Sequence, residues 1–207
     1  MFDNLSGPSA KPSEILSDYY KANGFDQDGG FSSKVVAIKF GRFLTLYLSN
    51  FDARRLAIRK HDLHHIVTGY TPSTLLGESE IGTWEIVAGT KTYWAALLLD
   101  GSAVLLGFMM SPSKIFRAFV QGRRTKTLYY DLISDEEATE TPINELQKLL
   151  CLDQFGKSPT SNSLDLTLFT VFMLIASIYA LTSLLFMPFV LVFSIVYSVI
   201  LPRLDKV

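Results

Sequence analysis

Apolar and polar positions alternate along this chain with three rhythms, and each predicts a different element. Over residues 52–68, Leu56, Leu63, Ile66 and Val67 gather on one side of a helix turned by about 100° per residue. Asn50 or Asp52 can cap that helix, and Gly69 with Pro72 can end it. Residues 75–89 repeat the helical rhythm with Ile81, Trp84 and Ala88 on one side, behind a cap at Ser73 or Thr74. Residues 34–48 are rich in Val, Ile, Phe, Leu and Tyr and are interrupted at Gly41-Arg42, which predicts a small β-hairpin. Two apolar runs, 92–99 and 103–110, flank Asp100-Gly101 and are expected as two short buried helices with a turn between them. Ser111-Pro112 opens a further helix, 134–140 is an acidic loop, and Pro142 starts a helix that runs to about Leu150.

The third rhythm is unbroken apolarity. Residues 166–201 hold no charged side chain, and a helix of that length measures about 54 Å against a hydrocarbon core of about 30 Å. Pro188 divides the run, so the expectation is a membrane hairpin whose bend stays in or near the far leaflet. Asp165, Arg203, Asp205 and Lys206 would then share one face, which the basic residues place on the cytoplasmic side. The predicted organisation is a loosely ordered leader over 1–33, a mainly helical domain over 34–155, a linker over 156–165, the membrane hairpin over 166–201 and a short tail over 202–207. The start of the chain lacks a cationic segment followed by an apolar run, so no secretory signal is expected.

Composition narrows the chemistry. A net charge of -1 gives no reason to expect a nucleic-acid partner. The single cysteine, Cys151, excludes an internal disulfide and a cysteine-based zinc site. All three histidines fall in His61-Asp62-Leu63-His64-His65. His61 and His65 are one helical turn apart, a spacing that presents two imidazoles to one ion. The His-x-x-His-His pattern also occurs in lipid desaturases, but those need about eight histidines for two irons. A phosphohydrolase built on an adjacent His-Asp pair needs a further histidine upstream, and none precedes His61.

The order His-Asp-x-x-His, then Gly69, then Leu76-Gly77-Glu78, followed by Gly122-Arg123-Arg124 and Leu128-Tyr129-Tyr130-Asp131, resembles the Coq-four family of ubiquinone (coenzyme Q) biosynthesis proteins. Twelve residues separate His65 from Glu78, one more than that family's usual spacing. The resemblance implies a helical domain with a bound divalent metal, zinc foremost and iron or manganese as alternatives. The ligands would be His61, Asp62, His65 and Glu78. His64 has no role in that pattern, and Glu80 competes with Glu78 as the acid. Arg123 and Arg124 would contact the ligand, a polyprenylated quinone precursor held at the membrane. The implied role is C1 oxidative decarboxylation of that precursor, organisation of the other pathway enzymes, or both; a non-catalytic membrane scaffold with a structural metal is the other reading.

Overall fold

The computed structural model describes residues 9–23, 31–40, 44–72, 74–154 and 160–196, and its architecture is mainly helical. Helix α1 (Pro12–Asn23) precedes two strands, β1 (Val35–Phe40) and β2 (Leu44–Ser49), which pair antiparallel with Val35 opposite Ser49 and Phe40 opposite Leu44. The Gly41-Arg42 connection predicted between them lies outside the described residues. Helices α2 (Asp52–Thr68), α3 (Leu75–Ala88), α4 (Trp94–Met110) and α5 (Pro112–Gly122) follow. A 3-10 turn over Leu128–Tyr130 leads to two short helices, α6 (Asp135–Glu140) and α7 (Ile143–Leu149). The chain then enters α8 (Ser163–Leu184) and α9 (Met187–Ile195).

The boundaries of α2 and α3 follow the local chemistry. Gly69 takes the left-handed conformation, φ 73°, and its N–H closes α2 on the His65 carbonyl. The Thr74 hydroxyl accepts the Gly77 N–H at the start of α3. At the start of α2 neither predicted cap is used. Phe51 occupies that position with no side-chain cap, because the Asn50 amide donates to the Phe31 and Ser33 carbonyls while its oxygen accepts from Arg54.

Four other expectations need correction. Residues 92–110 do not form two helices; α4 runs straight through Asp100-Gly101. Tertiary packing decides this, since Asp100 lies against Gly82 of α3 and Gly101 leaves room for the Tyr179 ring of α8. The acidic loop is helix α6, started by Ser134 accepting the Glu137 N–H. The leader is docked in its described part, where Ile15 and Tyr20 are buried and the Ile143 N–H donates to the Ala10 carbonyl. Leu56, assigned to the apolar side of α2, is 56% exposed, because α2 buries its histidine side against α3 as well.

The core has two main parts. Leu63 and Val67 of α2 pack with Ile81, Trp84 and Ala88 of α3, and with Leu146 and Leu150. Val104 of α4 and Ile115, Phe119 and Val120 of α5 pack with Phe169, Met173 and Ala176 of α8. Close helix approach relies on small residues: a Cβ on Gly107 would meet the Ser79 Cβ at 2.2 Å.

The apolar tail differs from the expected hairpin. Helix α8 is the one described helix long and apolar enough to cross a membrane. Its N-terminus carries a capping box between Asn162 and Asp165. Leu185 and Phe186 both keep right-handed helical backbone, so the chain kinks there instead of reversing. Pro188 sits in the first turn of α9, where its missing N–H costs nothing. Residues 197–207, with the rest of the predicted second leg and its flanking charges, lie outside the described residues.

Candidate metal centre

Helix α2 brings His61 and His65 to one side, and α3 brings Glu78 to meet them. His61 Nε2 lies 3.2 Å from Glu78 Oε2 and 3.2 Å from His65 Nε2, and His65 Nε2 lies 3.4 Å from the same carboxylate oxygen. The other nitrogen of each ring is committed. His65 Nδ1 donates to the Tyr70 carbonyl at 3.0 Å, and His61 Nδ1 faces both oxygens of Glu85 at 3.1 and 3.2 Å. These partners set the tautomers, leaving both Nε2 lone pairs aimed at Glu78.

Three acceptor atoms this close repel one another unless a proton or a cation lies among them. A tetrahedral shell with ligands at about 2.0–2.1 Å has edges of about 3.3–3.4 Å, and the observed triangle matches it. Glu78 is 36% exposed while His65 is buried, so the triangle opens on one side. In the metal-free protein, burial opposes charge on His61, but Glu85 and Glu78 outweigh it and raise its pKa well above the usual imidazole value. Burial likewise opposes ionisation of Glu78, and His61 and His65 override it and hold the carboxyl low.

Asp62 does not join the triangle. It is buried about 100° round α2 from His61, and hydrogen-bonds Tyr20 of α1. Burial pushes its carboxyl up to about 6, against the pull of His61, His65 and Tyr20. Glu80 also points away from the histidines, toward Lys114 at 3.8 Å. Of the two candidate acids, Glu78 alone faces the imidazoles.

His64 has a structural place that the motif does not assign. It is fully buried, its ring edge-on to Trp84 and Tyr129. Its Nε2 accepts the Leu128 N–H at 2.8 Å, so Nδ1 carries the proton and donates to Glu85 Oε1 at 2.5 Å. Burial lowers its pKa, in keeping with a neutral ring.

Glu85 is the functional residue that the sequence reading missed. Fully buried, it accepts from His61, His64 and the Tyr129 hydroxyl, the last at 3.1 Å. Burial raises its pKa, but the two histidines more than reverse this and hold it well below the usual range. Asp100 of α4 completes the cluster; burial and the neighbouring Glu85 raise its pKa well above the usual range. With His61 these two acids make a second group of possible ligand atoms. The available signal was the interval from Glu78 to Glu85, seven residues and so two helical turns on one face, inside an otherwise apolar stretch.

Arg123 and Arg124 are occupied within the protein. Both guanidinium groups bind the buried carboxylate of Asp165, and Arg124 also donates to the Thr160 carbonyl. They tie the start of α8 to the end of α5 and do not point into the metal triangle. Comparison with protein-family models, with curated proteins and with solved structures finds no match to this chain.

Proposed function

We propose that this chain is a membrane-associated, divalent-metal-binding protein of ubiquinone biosynthesis, acting on a polyprenylated ring precursor. The observation that carries the metal part is the triangle of His61 Nε2, His65 Nε2 and Glu78 Oε2, with edges of 3.2–3.4 Å. Two nitrogens and one oxygen suit zinc and also suit iron or manganese. Three protein ligands with one open side favour a reactive centre over a closed structural one, because a structural zinc is normally held by four side chains. A cation bound there would supply Lewis acidity or oxygen activation. Glu85 would orient His61 and strengthen it as a donor, as the Tyr70 carbonyl does for His65.

The order of motifs supports the ubiquinone assignment, and the apolar outer surface suits a substrate that resides in a bilayer. Arg123 and Arg124 drop out of the proposed ligand contacts, since Asp165 already holds them. The test is complementation: cells lacking the Coq-four family member are supplied with this chain or with its His61→Ala variant, and quinones are profiled. Restored ubiquinone with wild type alone is the expected result. A carboxylated precursor accumulating with the variant assigns chemistry at C1, whereas joint loss of several pathway enzymes assigns organisation. No rescue by the wild-type chain contradicts the reading.

A further inference from the structure

The two faces of α8 differ in what they meet. The inner face is fastened along α4 and α5: Phe169 packs against Phe108, Phe116 and Phe119, and the Tyr179 hydroxyl donates to the Leu98 carbonyl at 2.8 Å. Since Phe169 meets Phe108 and Tyr179 meets Leu98, α8 runs antiparallel to α4. The outer face is apolar and exposed at Leu164, Val171, Ile178 and Leu185, positions seven apart and therefore nearly in line.

This register bears on how the protein meets a membrane. From Asp165 to Tyr179 is a rise of about 21 Å. If α8 crossed a bilayer with Asp165 at one interface, Tyr179 and Leu98 would lie about 21 Å into a hydrocarbon layer of about 30 Å. Asp100, two residues along α4, would be at the same depth, together with Gly82 of α3 packed against it. Helix α2 would follow, since Ala57 packs with Ala95 and Ala96. It would bring Arg54, Arg55, Arg59 and Lys60 with the carboxylates Asp52, Asp131, Asp135 and Glu136 that pair with three of them, a charge density that hydrocarbon does not tolerate. The tail does not leave the domain beyond α8 either, because α9 lies against β2.

We propose that the occupant of this apolar surface is one leaflet of a lipid bilayer, with α8 lying in the plane of the membrane instead of crossing it. Helix α4 contributes Leu106, Met109 and Met110, all exposed, to the apolar surface. Just beyond Met110, Arg117 and Lys114 stand exposed on α5, Lys114 also facing Glu80 at 3.8 Å, and suit anionic headgroups at the edge of the embedded face. This deepens the membrane part of the proposed function and is independent of metal and ubiquinone.

The test places a nitroxide at each of Leu164, Val171, Ile178 and Leu185, by cysteine substitution in a full-length Cys151→Ser background. The protein is reconstituted in phosphatidylcholine–phosphatidylglycerol vesicles, and immersion is measured from accessibility to oxygen and to a water-soluble nickel chelate. An in-plane helix puts all four labels at one shallow depth, equal within about 5 Å. A crossing helix covers about 31 Å between Leu164 and Leu185, so depth would rise to the bilayer centre and fall again. That gradient overturns the proposal, and so does full nickel accessibility at all four positions. Failure of ubiquinone rescue would leave this result untouched.

Discussion

At the residue scale the centre depends on a buried carboxylate held by three side chains of the protein. Glu85 takes donors from His61, His64 and Tyr129, so an amide in its place leaves at least one donor facing another donor. Glu85→Gln should therefore cost about 2–4 kcal/mol of stability, read by chemical denaturation. It should also weaken metal binding by about 10–100-fold, read by titration, since His61 loses its orienting partner. His64→Ala separates the two effects. It removes a fully buried ring that satisfies both Leu128 N–H and Glu85, so stability should fall by about 2–3 kcal/mol. The metal should stay, because no His64 atom belongs to the triangle. Loss of metal in His64→Ala with unchanged stability would contradict this division of roles.

At the element scale, α3 and α4 approach closely because Gly107 leaves space for Ser79. Gly107→Ala drives two Cβ atoms together and should lower stability by about 1–3 kcal/mol, followed as a drop in Tm. Pairing it with Ser79→Gly should recover part of the loss, and the absence of any recovery would place the strain elsewhere. The ends of α2 and α3 were legible in the sequence because Gly69 and Thr74 act on their own neighbours. Asp100-Gly101 misled for the opposite reason: the pair is a turn signal locally, but here burial against Gly82 and Tyr179 decides its conformation. The proximity of His61 and His65 was legible through helical spacing, and Glu78 lies beside them in the structure. Asp62 stands outside the triangle beside Tyr20, a partner distant in sequence, and Glu85 was hidden because its contacts come from three other elements.

At the scale of the whole molecule, α8 is a core element as well as one with an exposed apolar face. The sequence predicts that a chain ending near Lys157 is soluble or at most peripheral. In the structure such a cut strips Phe169, Met173 and Ala176 from Val104, Ile115 and Phe119, and takes Asp165 from Arg123 and Arg124. The truncated chain should aggregate, or unfold well below the full-length protein; a soluble, cooperatively folded product would show that α8 is dispensable. The central claim, however, is that α2 and α3 together hold a metal. Its most direct test is elemental analysis of the full-length protein purified in detergent, beside its His65→Ala, Glu78→Gln and Glu80→Gln variants. The account predicts about one divalent ion per wild-type chain and per Glu80→Gln chain, little in His65→Ala, and reduced occupancy in Glu78→Gln. Equal metal content in wild type and His65→Ala, or greater loss from Glu80→Gln than from Glu78→Gln, would contradict it.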